Sequence, residues 1–173
     1  INTIFFQVRP CNDAFYQSEI NPWSQFLAGI GVDPGWDPLE WMVNECHARG
    51  IEFHAWLNPY RIGTLTASDV KIATSTEDEL NKAKYEYAKN LANQMKQTVN
   101  NPLFNFENLE EMYEDVMVGI NGSSHILILN PASQRVIDHI VNTVEEIISN
   151  YDVDGIHYDD YFYTSGGFEK FSE

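Results

Sequence analysis

Near the end of the chain, Asp154-Gly155-Ile156-His157-Tyr158-Asp159-Asp160-Tyr161-Phe162-Tyr163 places an imidazole, two adjacent carboxylates and a set of aromatics on a short apolar strand and its exit. In α/β sheets ligands sit beyond the carboxyl ends of the strands, so acids at that end read first as chemistry. Capping of a following helix is the plainer use open to them. Strand alternation separates the two acids: Gly155, His157 and Asp159 share one face, Ile156, Tyr158 and Asp160 the other. Asp159 is therefore expected to look into a site, with Asp160 at its rim.

Two further runs carry polar groups with the same period. Ile4, Phe6 and Val8 alternate with Phe5, Gln7 and Arg9; Ile51, Phe53, Ala55 and Leu57 alternate with Glu52, His54, Trp56 and then Asn58. If the apolar sets face helices, Gln7, Arg9, His54, Trp56, Asn58, His157 and Asp159 all turn to the opposite side. One buried polar residue is a local matter of packing, but a set on three strands suggests a binding face.

Two chemistries suit it. A carboxylate can attack or stabilise an oxocarbenium-like sugar centre while a second acid protonates the leaving oxygen. Trp23, Trp56, Tyr60, Tyr161 and Tyr163 would then offer flat faces to sugar rings, although aromatics more often fill cores. Alternatively His54, His157 and Asp159 could bind a metal that activates water. The first strand lacks the His-x-His pair common in such sites, and Arg9 beside a dication would be repelled, so no metal is expected. Cys11 and Cys46 have no histidine partner near a strand exit, and no phosphate-cradling glycine motif is present. No cofactor is implied.

The elements that would position these groups are well punctuated. Asp37-Pro38-Leu39-Glu40 opens a helix to Arg49, with Gly50 closing it before the second strand. Strand, helix and strand with short joints form a right-handed parallel unit. Cys11 to Gly35 is a long aromatic loop. Thr76-Glu77-Asp78-Glu79 starts a second helix, read to about Val99. Residues 64–122 are expected to be a helical excursion between barrel elements. His125–Leu129 is a strand, and Asn130-Pro131 the cap and first turn of a helix running to about Asn150.

Twenty-six acidic against ten basic residues give a formal net charge of −16. Polyanion binding works through Lys and Arg, so nucleic acid and anionic membrane are poor partners. No apolar run reaches eighteen residues, so nothing in the chain spans a membrane.

Phe6-Gln7-Val8-Arg9-Pro10, Ala14-Phe15-Tyr16-Gln17-Ser18, Pro22-Trp23-Ser24, Asp37-Pro38-Leu39 and His54-Ala55-Trp56-Leu57-Asn58-Pro59-Tyr60-Arg61 occur in order. Leu129-Asn130-Pro131 and the run from Tyr151 to Tyr163 complete the series. This pattern resembles the glycosyl hydrolase-like 10 family, bacterial envelope proteins with a TIM-type barrel. Some members act on peptidoglycan glycan strands. The resemblance implies a glycoside hydrolase of cell-wall or other polysaccharide glycans, outside the cytoplasm in the envelope or periplasm, or carried on a lipoprotein. It implies Asp159 and Asp160 at the active site. Gln7, Arg9, Tyr16, Trp23, His54, Trp56, Asn58, Tyr60, Arg61, His157, Tyr161 and Tyr163 would bind the glycan.

The fold expected is α/β, a TIM (β/α)8-type barrel represented by an incomplete N-terminal half. Residues 64–122 would be its insertion, and the remaining strands, with the second acid, would lie elsewhere. Exposed barrel edges then predict self-association. A non-catalytic glycan-binding barrel is the other reading.

Overall fold

The computed structural model describes residues 1–65, 76–95, 99–121 and 124–159. Strands β1 (Thr3–Arg9), β2 (Glu52–Leu57) and β6 (Gly155–Tyr158) form a parallel sheet in the order β1-β2-β6. Helix α1 (Pro38–His47) joins the first two. Asp37 caps it, its Oδ1 accepting the Glu40 N–H at 3.0 Å. Gly50, at φ +68°, takes the left-handed turn that reverses the chain, a conformation few side chains tolerate. The apolar alternation works as expected: Val8, Phe53, Ala55 and Leu57 are buried with Leu39 and Val43 of α1 and with Ile147 of α4 (Gln134–Asn150).

The remainder departs from a repeating strand–helix pattern. β5 (Ser124–Leu129), expected as a barrel element, lies in an antiparallel sheet of order β3-β5-β4, with β3 (Arg61–Leu65) and β4 (Val116–Asn121) on either side. Neither partner strand is among the elements expected from the sequence. The signal for β4 was present: Val116, Val118 and Ile120 alternate, and Asn121-Gly122 favours a tight hairpin. Residues 64–122 are thus not only helical. They hold α2 (Glu77–Gln94), a 3₁₀ turn (Pro102–Phe104), α3 (Leu109–Asp115) and all of β4. A second core forms here from Ile62, Leu80, Leu103, Met112, Val118, Leu127 and their neighbours.

Two helix limits also shift. α2 ends at Gln94 rather than near Val99. α4 begins three residues after Pro131, because Asn130 makes a turn of its own: Oδ1 accepts the Ala132 N–H and Nδ2 donates to the Glu114 carbonyl. Helix α4 serves both cores. Val136 and Ile140 pack with the antiparallel sheet, Val144 and Ile147 with the parallel one. Both cysteines are free. No described helix is long and apolar enough to cross a membrane.

Candidate active site

The face of the parallel sheet turned away from α1 and α4 is built around β2. His54 pairs with Phe5 and Gly155, and Trp56 pairs with Gln7 and His157. Strand pleating therefore brings Phe5, Gln7, His54, Trp56 and His157 to one side. Their rings touch: Phe5 lies 4.8 Å from the His54 ring centroid and 4.9 Å from that of His157, and Trp56 meets His157 edge-on at 5.9 Å. Phe5, left out of the expected site although the alternation places it there, is the aromatic that bridges both histidines. It is 52% exposed.

Asp159 follows the last residue of β6 and continues this face by alternation. Its Oδ1 is buried without a hydrogen-bond partner among the described residues, and so is the Trp56 Nε1–H. An unused acceptor and an unused donor on one face are costly to bury, by about 1–3 kcal/mol each, and native proteins keep few of them. Such pairs suit a ligand that both accepts and donates, as a sugar hydroxyl does. Asp160, Tyr161 and Tyr163 lie outside the described residues.

Arg9 leaves the face. The β1–β2 register slips between Gln7 and Arg9, so Arg9 aligns with Leu57 and not with a residue of the Trp56 side. The fully buried guanidinium then spends all five N–H donors on the protein. They reach Asn21 Oδ1, the Asn58 and Pro59 carbonyls, Asn12 Oδ1 and His139 Nε2 at 2.6–3.2 Å. Burial lowers its pKa from the ordinary arginine value. The expectation that Arg9 lines the inner face is corrected by this bulge, and with it goes the electrostatic objection to a metal. Among the described residues, however, no three His, Cys, Asp or Glu side chains stand close enough to hold an ion.

Other expected site residues are dispersed. Tyr16 is wholly buried in the first core, edge-on to Tyr151, behind the sheet. Burial holds its hydroxyl well above the usual range. Asn58 is buried, and its Oδ1 accepts the Tyr60 and Arg61 N–H groups, fixing the turn at the end of β2. Tyr60 packs on the second core, and exposed Arg61 opens β3. Trp23 is half-buried in the long loop, bridged to Ala14.

A different acid positions the strand. Asp154 Oδ2 accepts the Phe53 N–H at 2.7 Å and bonds His47 Nε2 at 2.9 Å. The Phe53 N–H, then His47, hold this carboxyl below its ordinary value, while Asp154 raises that of His47. Asp154 thus clips the entry of β6 to β2.

The model of the glycosyl hydrolase-like 10 family matches residues 1–172. The chain belongs to this family. The match takes in residues 64–122, which the resemblance by motifs had left out. Over 165 residues the chain is 38% identical to glycosyl hydrolase DigH of Escherichia coli K12, covering 95% of this chain and 31% of that protein. Over 164 residues it is 34% identical to glycosyl hydrolase YngK of Bacillus subtilis, covering 94% of this chain and 25% of that protein. The chain therefore spans about a third or less of the relatives it matches.

Proposed function

We propose that this chain supplies one wall of the active site of a glycoside hydrolase acting on a bacterial cell-wall or other polysaccharide glycan. In this reading Asp159 is the nucleophile or charge stabiliser. The observation that carries it is the pair of unpartnered buried atoms, Asp159 Oδ1 and Trp56 Nε1, on the aromatic- and histidine-lined face. Family membership and the relatives' names supply the reaction class.

The glycan would lie against Phe5 and Trp56, with Gln7, His54 and His157 available to its hydroxyls. As the glycosidic bond breaks, the anomeric carbon gains positive charge, which the Asp159 carboxylate neutralises or captures. A second acid protonates the departing oxygen, and water completes hydrolysis. Asp160, next in sequence, is the nearest candidate for that acid; an acid from another part of the protein is the other. The parallel sheet would be one arc of a TIM-type barrel, with the site at its C-terminal end. We place the protein outside the cytoplasm, where such glycans are found.

The test is Asp159→Asn in the full-length protein, assayed on purified peptidoglycan glycan strands and neutral polysaccharides. Cleavage should fall by at least about a hundredfold while glycan binding stays within a few-fold, since the amide keeps the shape but not the charge. Cleavage intact in Asp159→Ala would falsify the assignment. Binding without turnover in the wild type would favour the glycan-binding barrel.

A further inference from the structure

A second cleft, of about 650 Å³, lies between residues 99–107 and the first half of α4. That volume is within the usual size of small-molecule sites, roughly 300–1,000 Å³. Its walls include Asn100, Asn105, Phe106, Arg135, His139 and Asn142. His139 is the residue that points to a ligand. Arg9 can only donate, so its Nη2 contact of 3.2 Å makes His139 Nε2 an acceptor. Asn101 agrees. Its Oδ1 accepts the Leu103 N–H and an Asn12 Nδ2 hydrogen, and its Nδ2, which also donates to Asn12 Oδ1 at 3.0 Å and to the Ile20 carbonyl at 3.4 Å, turns a hydrogen toward the same His139 Nε2 at 3.3 Å. The imidazole is therefore neutral, with its proton on Nδ1.

That Nδ1–H has no hydrogen-bond partner among the described groups, and the residue is only 5% exposed. The residue itself lines the cleft. A buried donor held in one tautomer by two fixed donors behind it is a preorganised contact for a ligand oxygen. The cleft disfavours an anion. Among the described residues its one cation, Arg135, already engages Asp115, Glu114 and Glu111, and Asp138 and Glu107 add further negative charge to the walls. What remains is a donor, several amides that both give and accept, and the half-buried ring of Phe106. That set suits a neutral polyhydroxylated ligand.

We propose that this cleft is a second saccharide-binding subsite, in which His139 Nδ1–H donates to a sugar hydroxyl or acetamido oxygen. It goes beyond the Asp159 site, lies on the helix side of the sheet, and shares with that reading only the class of ligand. The test is titration of the full-length protein, isotope-labelled across these 173 residues, with chitotetraose and maltotetraose, with inorganic phosphate as the contrast, followed by amide and imidazole nuclear magnetic resonance. Either saccharide should shift signals of residues 99–107 and 139–142, including the His139 Nδ1–H, and should do so equally in Asp159→Asn. Asn142→Trp, at an exposed helical position where folding is not at risk, should raise Kd about tenfold or more by filling the cleft, and Phe106→Ala should act in the same direction. Shifts confined to Trp56 and residues 155–159, equal saturation by phosphate, or an unaltered Kd in Asn142→Trp would overturn the proposal. A failure of the Asp159 cleavage test would leave these signals untouched, so the two readings fail separately.

Discussion

The imidazole of His54 occupies the space that a side chain at Gly155 would fill. The two residues are neighbours across β2 and β6, and a methyl group on Gly155 would meet His54 Nδ1 at 2.5 Å and Cε1 at 2.7 Å. Glycine at the start of β6 is thus what lets the histidine lie flat across the sheet against Phe5. Gly155→Ala should displace the ring and loosen the contacts of Phe5 with His54 and His157. Overpacking of this kind costs about 1–3 kcal/mol, less what alanine gains in strand propensity. Chemical denaturation with His54 ring chemical shifts measures it; unchanged shifts would mean that the ring adapts freely.

Arg9 is expected to be a residue of stability. Arg9→Lys keeps the charge but cannot reproduce five donors in a planar fork, so it strands the carbonyls of Asn58 and Pro59 or the amide oxygens of Asn12 and Asn21. A loss of about 3 kcal/mol or more in urea unfolding is expected, with each unsatisfied buried acceptor costing about 1–3. A variant of unchanged stability and weakened glycan binding would return Arg9 to the binding face.

Acid should unfold the chain in part through His139. Burial, then the charge of Arg9, push its pKa down to about 3 from an ordinary 6.5. Unfolded chains bind this proton below 6.5 and the folded chain does not until about pH 3. Stability is therefore full above 6.5 and falls as pH drops through the window, by at most about 1.4 kcal/mol per pH unit. Asp13, raised above the ordinary carboxyl value by burial, works in the opposite sense over the lower part of the window. Melting temperature against pH in wild type and His139→Gln tests this: the glutamine variant should lose the part of the slope between 6.5 and about 3.

The exposed pair of His47 and Asp154 behaves differently. Asp154 is depressed and His47 raised, so their mutual stabilisation is present between the two folded values. It is lost as pH falls through that of Asp154 and as it rises through that of His47. His47→Ala should flatten the alkaline limb of the same curve and leave the acid slope from His139 in place.

Asp159→Asn should not destabilise the protein. The wild-type carboxylate oxygen is buried without a partner, and an amide there removes the charge, so unfolding free energy should hold or rise by about 0.5–2 kcal/mol. A clear loss of stability would indicate that the carboxylate is a structural group.

Much of the parallel sheet was legible in the sequence because alternation forces it. Val8, Phe53, Ala55 and Leu57 had to face helices, and His54, Trp56 and His157 followed to the other side. Arg9 broke the rule because one slipped residue in β1 exchanges the faces, and no side-chain pattern announces a bulge. The antiparallel sheet was hidden for another reason. Arg61–Leu65 begins beside a proline turn and reads as polar, so nothing local to β5 separates it from the parallel strands. Asn130-Pro131 carries a helix-start signal that its own turn absorbs. Asp154 has no role in the sequence reading, because its partners, Phe53 and His47, are distant in sequence and invisible to local pattern.

Because Val136 and Ile140 of α4 belong to one core and Val144 and Ile147 to the other, a single helix spans both hydrophobic clusters. Melting either sheet would strip one end of that helix, so the two cores are expected to unfold in one cooperative transition. Amide protons in the middle of α4, around His139 to Thr143, would then be among the slowest to exchange. A ligand reaching the His139 imidazole would then act on the stability of both sheets at once.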